Sequence, residues 1–327
     1  MDPELVTTDV GIALHALRGG GLVAMPTETV YGLGADAEDP AAVARVYATK
    51  GRPSDHPLIV HLADASAIDD GWAVDVPGWA RLLAAACWPG PLTLVLRRGP
   101  RAGDHVTGGQ DTVGLRVPSH PVALDLLRRF GGGVAAPSAN RFGRVSPTDA
   151  AHVVEEFADV LVPGRDVVLD GGPSHVGVES TIVDCTGAAP RLLRPGAVGV
   201  EEIEAVTGLE VATPDPTVRA PGTLAAHYAP AARLVLVERD DLPAAIAGAA
   251  TPVALLAPAD VVTPEGVHRL AAPEDSAAYA RSLYAALRAA DADGIATIVA
   301  VAPAVGVLAA AVHDRLRRAA VGSARER

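Results

Sequence analysis

The chain contains 327 residues, 49% of them hydrophobic and 3% aromatic, and it carries a formal net charge of -12 at pH 7. Because single hydrophobic cores stop growing at roughly 250–300 residues, this length predicts about two domains, with cores filled by alanine, valine and leucine. The negative charge argues against broad binding to a nucleic-acid backbone, while a local basic groove for a small anionic ligand stays compatible with it.

The first predicted elements flank a polar stretch that no apolar period explains. A short helix is predicted over residues 9–18, and a buried strand follows at 22–25. The next segment, PTETVYGLGADA at 26–37, is predicted to be a loop rich in hydroxyl groups. It formally contains the pattern GxGxxA, but the next helix starts only after a long loop, which disfavours a dinucleotide-binding turn.

The helix after this loop delivers a basic cluster. Asp39 and Pro40 supply an N-cap and a proline at the first helical position, and Gly51 ends the helix directly after Lys50. Lys50 is the only lysine in the chain, which indicates that a compact ammonium is needed there. With Arg52 it suits an anionic ligand, although cations at a helix C-terminus are also ordinary complements of the helix dipole. Because glycine follows Lys50, a Walker A loop is excluded.

The remainder of the first domain is predicted to alternate strands and helices. Helices are predicted at 77–88, 121–130 and 200–206, with another starting at 146–149, and strands at 58–62, 93–98, 112–117, 134–136, 167–170, 180–185 and 191–193. The string Ser-Ala-Asn at 138–140 follows a strand's carboxyl end, where open α/β sheets usually bind ligands. The helix that starts at 146–149 is expected to offer free backbone amides to phosphate.

The last third of the chain has a different pattern. A proline-rich stretch without apolar period, residues 208–232, is predicted to link a first domain at 1–207 to a second at 233–327. From residue 233 onward, strands and helices alternate, which predicts a small Rossmann-like parallel α/β domain. The uncharged run 295–312 contains Pro303 and Gly306, so it is predicted to be strand, turn and helix start, not a membrane span.

The two cysteines and the amino-terminal sequence indicate the cellular compartment in which the protein is expected. Cys87 and Cys185 lie in apolar runs, outside any Cys-x-x-Cys or Cys/His spacing, and are expected to be buried free thiols. The acidic amino terminus lacks the apolar core of a signal peptide. Both features predict a reducing, cytoplasmic location.

Seven strings occur in a fixed order along the first domain: PTETVYGLGA, KGRPSDHPLIVH, TVGLRVP, APSAN, SPT, ESTIVD and LLRPG. Together they closely resemble the threonylcarbamoyl-AMP synthase family, the YrdC-domain proteins. The later string APGTLAAHYAP resembles the linker of the longer, two-domain form. The resemblance spans nearly the whole chain, and it implies a YrdC-like α/β fold whose twisted mixed sheet has a concave ligand face.

The resemblance implies an L-threonylcarbamoyladenylate synthase that converts L-threonine, bicarbonate and ATP into threonylcarbamoyl-AMP and pyrophosphate, for the threonylcarbamoyladenosine modification of tRNA. A carbamate oxygen would attack the α-phosphorus, so catalysis would be positioning and electrostatics without a covalent intermediate. Mg²⁺ is expected to accompany the triphosphate, although no carboxylate cluster identifies a protein-held metal site. The enzymes that transfer the group to tRNA are implied as partners, and neither membrane association nor stable nucleic-acid binding is expected.

The matching motifs also imply roles for individual residues. L-threonine would contact Thr29, His61, Arg116 and Ser180, with Arg116 pairing with the substrate carboxylate. ATP would contact Lys50, Arg52, His56, Thr112, Ser138, Asn140, Ser146, Arg194, His227 and Tyr228, and Lys50 and Arg52 would be the catalytic residues. One departure is His56, which stands where the family is expected to carry asparagine.

Structural and functional alternatives stay open at this point. Arg116 and Arg194 could be ordinary strand-end arginines, the two serines at 138 and 146 could be turn and cap residues, and His61 could be a core histidine. The His-Tyr pair at 227–228 could be a passive hinge or a lid over the pocket, and the resemblance favours the lid. The functional alternatives are a non-catalytic RNA-binding module and a related carbamoyl-adenylating enzyme of the kind used in hydrogenase maturation.

Overall fold

The computed structural model describes residues 5–213, 219–222 and 224–324, which divide into two compact units. The first unit comprises residues 5–142, 147–175 and the described part of 179–222. The second comprises residues 143–146, 176–178 and 224–324. The chain passes between the units several times, and the last of these changes lies within residues 208–232.

The first unit is built on a mixed sheet, as predicted. Its strands are β1 Val6–Thr7, β2 Val23–Met25, β3 Gly32–Asp36, β4 Ile59–His61, β5 Leu92–Arg97, β6 Thr112–Arg116, β7 Val134–Ala135, β8 Val167–Leu169, β9 Thr181–Asp184 and β10 Arg191–Arg194. Within the described residues they follow the order β1-β8-β2-β3-β7-β4-β6-β5-β9-β10. The sheet contains parallel pairs, such as β4 with β6, and antiparallel pairs, such as β5 with β6.

The helices of this unit begin and end largely where the sequence predicted. They are α1 Val10–Arg18, α2 Pro40–Lys50, α3 Gly78–Cys87, α4 Asp104–Thr107, α5 Pro121–Phe130, α6 Ala150–Phe157 and α7 Val200–Thr207. The side chain of Asp39 accepts hydrogen bonds from the amides of Ala41 and Ala42, and Gly51 ends α2 at φ 61°. A residue without a Cβ adopts that left-handed conformation readily, so α2 stops directly after Lys50.

The predicted loop at 26–37 was wrong in its second half, because β3 lies there and pairs antiparallel with β2. A Cβ at Gly34 would lie 2.8 Å from a methyl of Val134 and 3.1 Å from the carbonyl of Val23. Glycine is therefore required by close packing inside a strand, not by a turn. This also removes the GxGxxA pattern from any strand-to-helix turn.

Strand alternation gives the sheet two distinct faces at β4, β6, β5 and β9. Val60, Leu115, Leu94 and Val183 are aligned across these strands and belong to the main core. Because successive side chains point to opposite faces, the residues between them line the other face. That second face carries the site described below.

The second unit contains a small parallel sheet, which confirms the predicted parallel α/β type. Its strands are β11 Arg233–Leu236, β12 Val253–Leu256, β13 His268–Ala271 and β14 Thr297–Ala300, in the order β11-β14-β12-β13, and its helices are α8 Leu242–Ala247, α9 Ser276–Ala292 and α10 Ala309–Ser323. The strand β13 was not predicted. None of the described helices is long and apolar enough to cross a membrane. Cys87 and Cys185 are free and buried, as expected.

Candidate active site

The second face of the sheet carries a row of polar side chains. His61 lies opposite Arg116 in the register of β4 and β6, and Ile59 lies opposite Gly114. Gly114 and Arg116 therefore share a face, and a Cβ at Gly114 would lie 3.5 Å from the methyl of Thr93 on β5. The strand register thus brings His61, Arg116 and Thr93 to one surface.

Hydrogen bonds extend this row to the next two strands. The hydroxyls of Thr93 and Ser180 lie 2.8 Å apart. Arg194 on β10 donates to the Ser180 hydroxyl at 3.1 Å and to its carbonyl at 3.0 Å. Arg194 is therefore more than a strand-end charge, because a buried side chain on a neighbouring strand fixes its guanidinium.

Arg116 is held by a residue that the sequence reasoning did not assign. Its Nη1 donates to the Thr29 hydroxyl at 2.9 Å, and its Nη2 lies 2.7 Å from Oε1 of buried Glu28. That ion pair is close but not aligned as a hydrogen bond, and both atoms lack a hydrogen-bond partner among the described residues. A ligand carboxylate and a ligand donor could therefore bind side by side here. In the sequence, the signal that could have identified Glu28 was its place in a predicted loop without an apolar period.

His61 is buried and electrically neutral. Burial, together with the charge of Arg116, lowers the pKa of His61 from 6.5 to about 3. Its Nδ1 has no hydrogen-bond partner within the described parts of the chain. The imidazole can therefore hydrogen-bond a ligand without adding charge.

A second basic cluster surrounds Lys50 at the end of α2. The Lys50 ammonium donates to the carbonyl of Ser138 at 2.5 Å and to that of Asn140. Burial and the nearby charge of Arg52 lower the pKa of Lys50 well below its usual value, and Glu156 partly opposes this shift. A neighbouring anion would raise the pKa of Lys50 again and favour its charged form.

Phe142 organises the other side of this cluster. The guanidinium of Arg52 lies 5.6 Å from the centre of the Phe142 ring, and the His56 ring packs edge-on against it at 5.3 Å. The amide of Phe142 donates to the Lys50 carbonyl at 2.8 Å. Phe142 was missed because nothing in its local sequence marks it.

The two clusters adjoin within the first unit. The amide of Ala139, between Ser138 and Asn140, donates to the Tyr31 carbonyl at 2.8 Å. Tyr31 is two residues from Thr29, which contacts Arg116. The loop at 29–31, which contacts Arg116, is therefore linked through the backbone to the 138–140 loop that contacts Lys50.

Thr112 lies on the same sheet face as Gly114 and Arg116, because side chains alternate along β6. It is at the opposite end of the strand from Arg116, about 13 Å away at roughly 3.3 Å per residue, and it pairs with Arg97. At the start of α6, the Asp149 side chain accepts a hydrogen bond from the Ala151 amide at 2.9 Å, so this amide is capped within the chain.

Ser146, His227 and Tyr228 belong to the second unit. Ser146 is fully buried, and the neighbouring residue Gly143 accepts a hydrogen bond from the Ala229 amide at 2.8 Å. His227 and Tyr228 are also buried, with ring centres 4.1 Å apart. The second unit therefore holds these three residues on two segments that pair with each other.

Comparison with known proteins gives matches along most of the chain. The family model Sua5_yciO_yrdC, described as "Telomere recombination", matches residues 15–196, and the model Sua5_C, described as "Threonylcarbamoyl-AMP synthase, C-terminal domain", matches residues 198–321. A threonylcarbamoyl-AMP synthase of Pyrococcus abyssi is 40% identical over 325 residues, which are 95% of this chain and 93% of that protein. One of Bacillus subtilis is 46% identical over 243 residues, covering 72% of this chain and 69% of that protein.

A solved structure agrees over a similar range. The crystal structure of P. abyssi Sua5 complexed with L-threonine matches with a TM-score of 0.84 at 39% identity, covering 96% of this chain and 94% of that chain. The match includes both units of the fold, since it extends over nearly all residues.

Proposed function

The chain belongs to the threonylcarbamoyl-AMP synthase family, and on that premise we propose that it makes threonylcarbamoyl-AMP from L-threonine, bicarbonate and ATP, with release of pyrophosphate. The product would serve the threonylcarbamoyladenosine modification of tRNA, through partner enzymes that transfer the group. The observation that carries the proposal is the backbone link between the loop that contacts Arg116 and the loop that contacts Lys50.

The Arg116 cluster fits an amino acid. A carboxylate can pair with the unaligned Nη2 of Arg116, while neutral His61 and the Oε1 of Glu28 offer hydrogen bonds to the remaining polar groups of threonine. Thr29 and Ser180 would complete the pocket, since they bind Arg116 and Arg194 respectively. This arrangement recognises a zwitterion with a side-chain hydroxyl.

The Lys50 cluster fits the triphosphate. Negative phosphates would oppose the downward shift in the pKa of Lys50 and so favour its charged ammonium form. Together with Arg52 it would stabilise the charge that develops on departing pyrophosphate. Mg²⁺ is proposed to arrive with the phosphates, because the described residues include no group of three or more His, Cys, Asp or Glu placed to hold a metal ion.

The segment at 208–232 is proposed to cover the site as a lid. Ala220 packs against Ile59, Val95 and Ile182, which lie on the same sheet face as Arg116. The next residue, Pro221, accepts a hydrogen bond from Arg194 through its carbonyl at 3.0 Å. These contacts support a role in excluding water from the anionic reactants, with His227 and Tyr228 contributing to the nucleotide site.

The proposal is tested by pyrophosphate release from ATP, with threonine and bicarbonate omitted in turn. We expect release only when both are present, and an adduct of AMP and threonylcarbamate detectable by mass spectrometry. Release without threonine would favour the carbamoyl-adenylating alternative. No release, with RNA binding that weakens steeply as salt increases, would favour the RNA-binding alternative. Arg116→Gln should raise the KM for threonine, and the exposed Arg81→Gln is the matched control.

A further inference from the structure

We propose that Asp314, Arg315 and Arg318 of α10 form a clamp that positions the His227–Tyr228 pair. The clamp would hold the pair in the backbone conformation that the nucleotide site needs. The inference rests on the proposed role of the pair in binding ATP.

The backbone of Tyr228 shows that this segment is held under constraint. Tyr228 has φ 61°, a left-handed conformation that, among non-glycine residues in the described part of the chain, only Asp75 shares. Its side chain is nearly completely buried. A bulky residue in this region persists only where its surroundings determine the conformation, and such positions cluster at functional sites.

Residues of α10 make many of the contacts that hold Tyr228 in this conformation. The Arg315 guanidinium lies 5.4 Å from the centre of the Tyr228 ring, and the Arg318 carbonyl accepts from the His227 amide at 3.3 Å. Arg318 also donates through Nη1 to the carbonyl of Leu224. Two arginines one helical turn apart therefore hold both the start of the segment and its aromatic ring.

Asp314 fixes the two arginines. Its carboxylate lies 2.9 Å from Arg315 Nη1 and 2.9 Å from Arg318 Nε, and all three side chains are buried. Burial raises the pKa of Asp314, but hydrogen bonds and charges from Arg318 and Arg315 outweigh it, so the net shift is downward. A buried carboxylate that contacts two guanidinium groups restricts the geometry of both partners.

Close backbone packing completes the clamp. A Cβ at Gly322, on the last turn of α10, would lie 2.7 Å from the Cβ of Ala229 and 3.6 Å from the His227 nitrogen. The segment can therefore approach the helix only because residue 322 has no side chain. Substituting Gly322 by alanine would therefore disturb this contact without changing any charge.

The test compares Gly322→Ala and Asp314→Asn with two controls in the full-length protein. Arg239→Gln removes an exposed arginine of the second unit that pairs with Asp260, and Gly78→Ala adds a methyl at a helical glycine with nothing within 4 Å. Gly322→Ala keeps the test valid if Asp314→Asn does not fold. Circular dichroism establishes which variants retain the fold.

We expect the KM for ATP to rise by roughly tenfold to 100-fold in Gly322→Ala, while the KM for threonine stays within about twofold. A merely structural role would lower kcat and leave both KM values unchanged. In a Tyr228→Ala background, Gly322→Ala should add little, because the clamp acts through that residue.

Two outcomes would overturn the inference, and they are distinguishable. If the unmodified chain makes threonylcarbamoyl-AMP but Gly322→Ala has the ATP KM of the Gly78→Ala control, the clamp alone is refuted. If the unmodified chain makes no threonylcarbamoyl-AMP under any substrate combination, the proposed function fails and the clamp fails with it.

Discussion

The buried imidazole of His61 should make the stability of the first unit unusually dependent on pH. Burial lowers the pKa of His61 to about 3 in the folded protein, from 6.5 for an unperturbed histidine. Because the folded value is lowered, the stabilisation is complete above pH 6.5 and is lost as the pH falls toward 3. Between these values the unfolded chain binds a proton that the folded chain excludes.

The expected magnitude follows from this difference. At pH 5 the unfolded chain carries almost a full proton at His61 and the folded chain almost none. With about 1.36 kcal/mol for each pKa unit, going from pH 7 to pH 5 should cost about 2 kcal/mol of unfolding free energy through this residue alone. The expected loss of unfolding free energy would be nearly the same for a folded pKa one unit higher, because pH 5 would still lie above that pKa.

The assay is urea unfolding at pH 7 and pH 5, followed by tryptophan fluorescence. The three tryptophans, Trp72, Trp79 and Trp88, all lie in the first unit with His61. The unmodified protein should lose about 2 kcal/mol more than His61→Gln over this interval, since other titrating groups contribute equally to both. The exposed His268→Gln should behave like the unmodified protein. Equal losses in the unmodified protein and His61→Gln would refute the account of a buried neutral imidazole.

Three further predictions concern other buried polar groups. Lys50→Met should lower pyrophosphate release by roughly 100-fold or more while circular dichroism stays unchanged, because it removes a phosphate partner; near-normal release would exclude a catalytic role. Glu28→Gln should raise the KM for threonine at least about fivefold and leave the KM for ATP within about twofold, because it changes the charge beside Arg116; an unchanged threonine KM would contradict this assignment. Asp166→Asn should cost about 3–5 kcal/mol in urea unfolding, because fully buried Asp166 pairs with Arg45 and accepts from the Leu22 amide; a loss under about 1 kcal/mol would show that the buried pair contributes little.

Local signals predicted much of the helix and strand content. Aspartate N-caps and left-handed glycine ends placed α2 correctly, and Pro121 fixed the start of α5. These signals act through neighbouring backbone groups, so they can be read without tertiary information. Strand β3 was not predicted because Gly34 is required by close packing against Val134, which is 100 residues away in the chain.

The motifs named the candidate site residues, but their grouping came from strand register. Arg116 and His61 meet because β4 and β6 are parallel neighbours, and Arg194 joins them through Ser180 and Thr93 on two other strands. Glu28 and Phe142 gained their places only from contacts across the fold. A side chain's chemistry is visible in a single sequence, whereas its partners are not.

The sequence alone determined the alternation of elements, the two-part organisation and the set of cationic and hydroxyl-bearing residues suited to anions. Those properties depend on residue type and on spacing over a few turns. The tertiary structure decided which of these residues share a surface, which charges lie buried beside one another, and that Tyr228 is held in a left-handed conformation. Such properties depend on groups brought together from distant parts of the chain, where burial and neighbouring charge set both pKa and geometry.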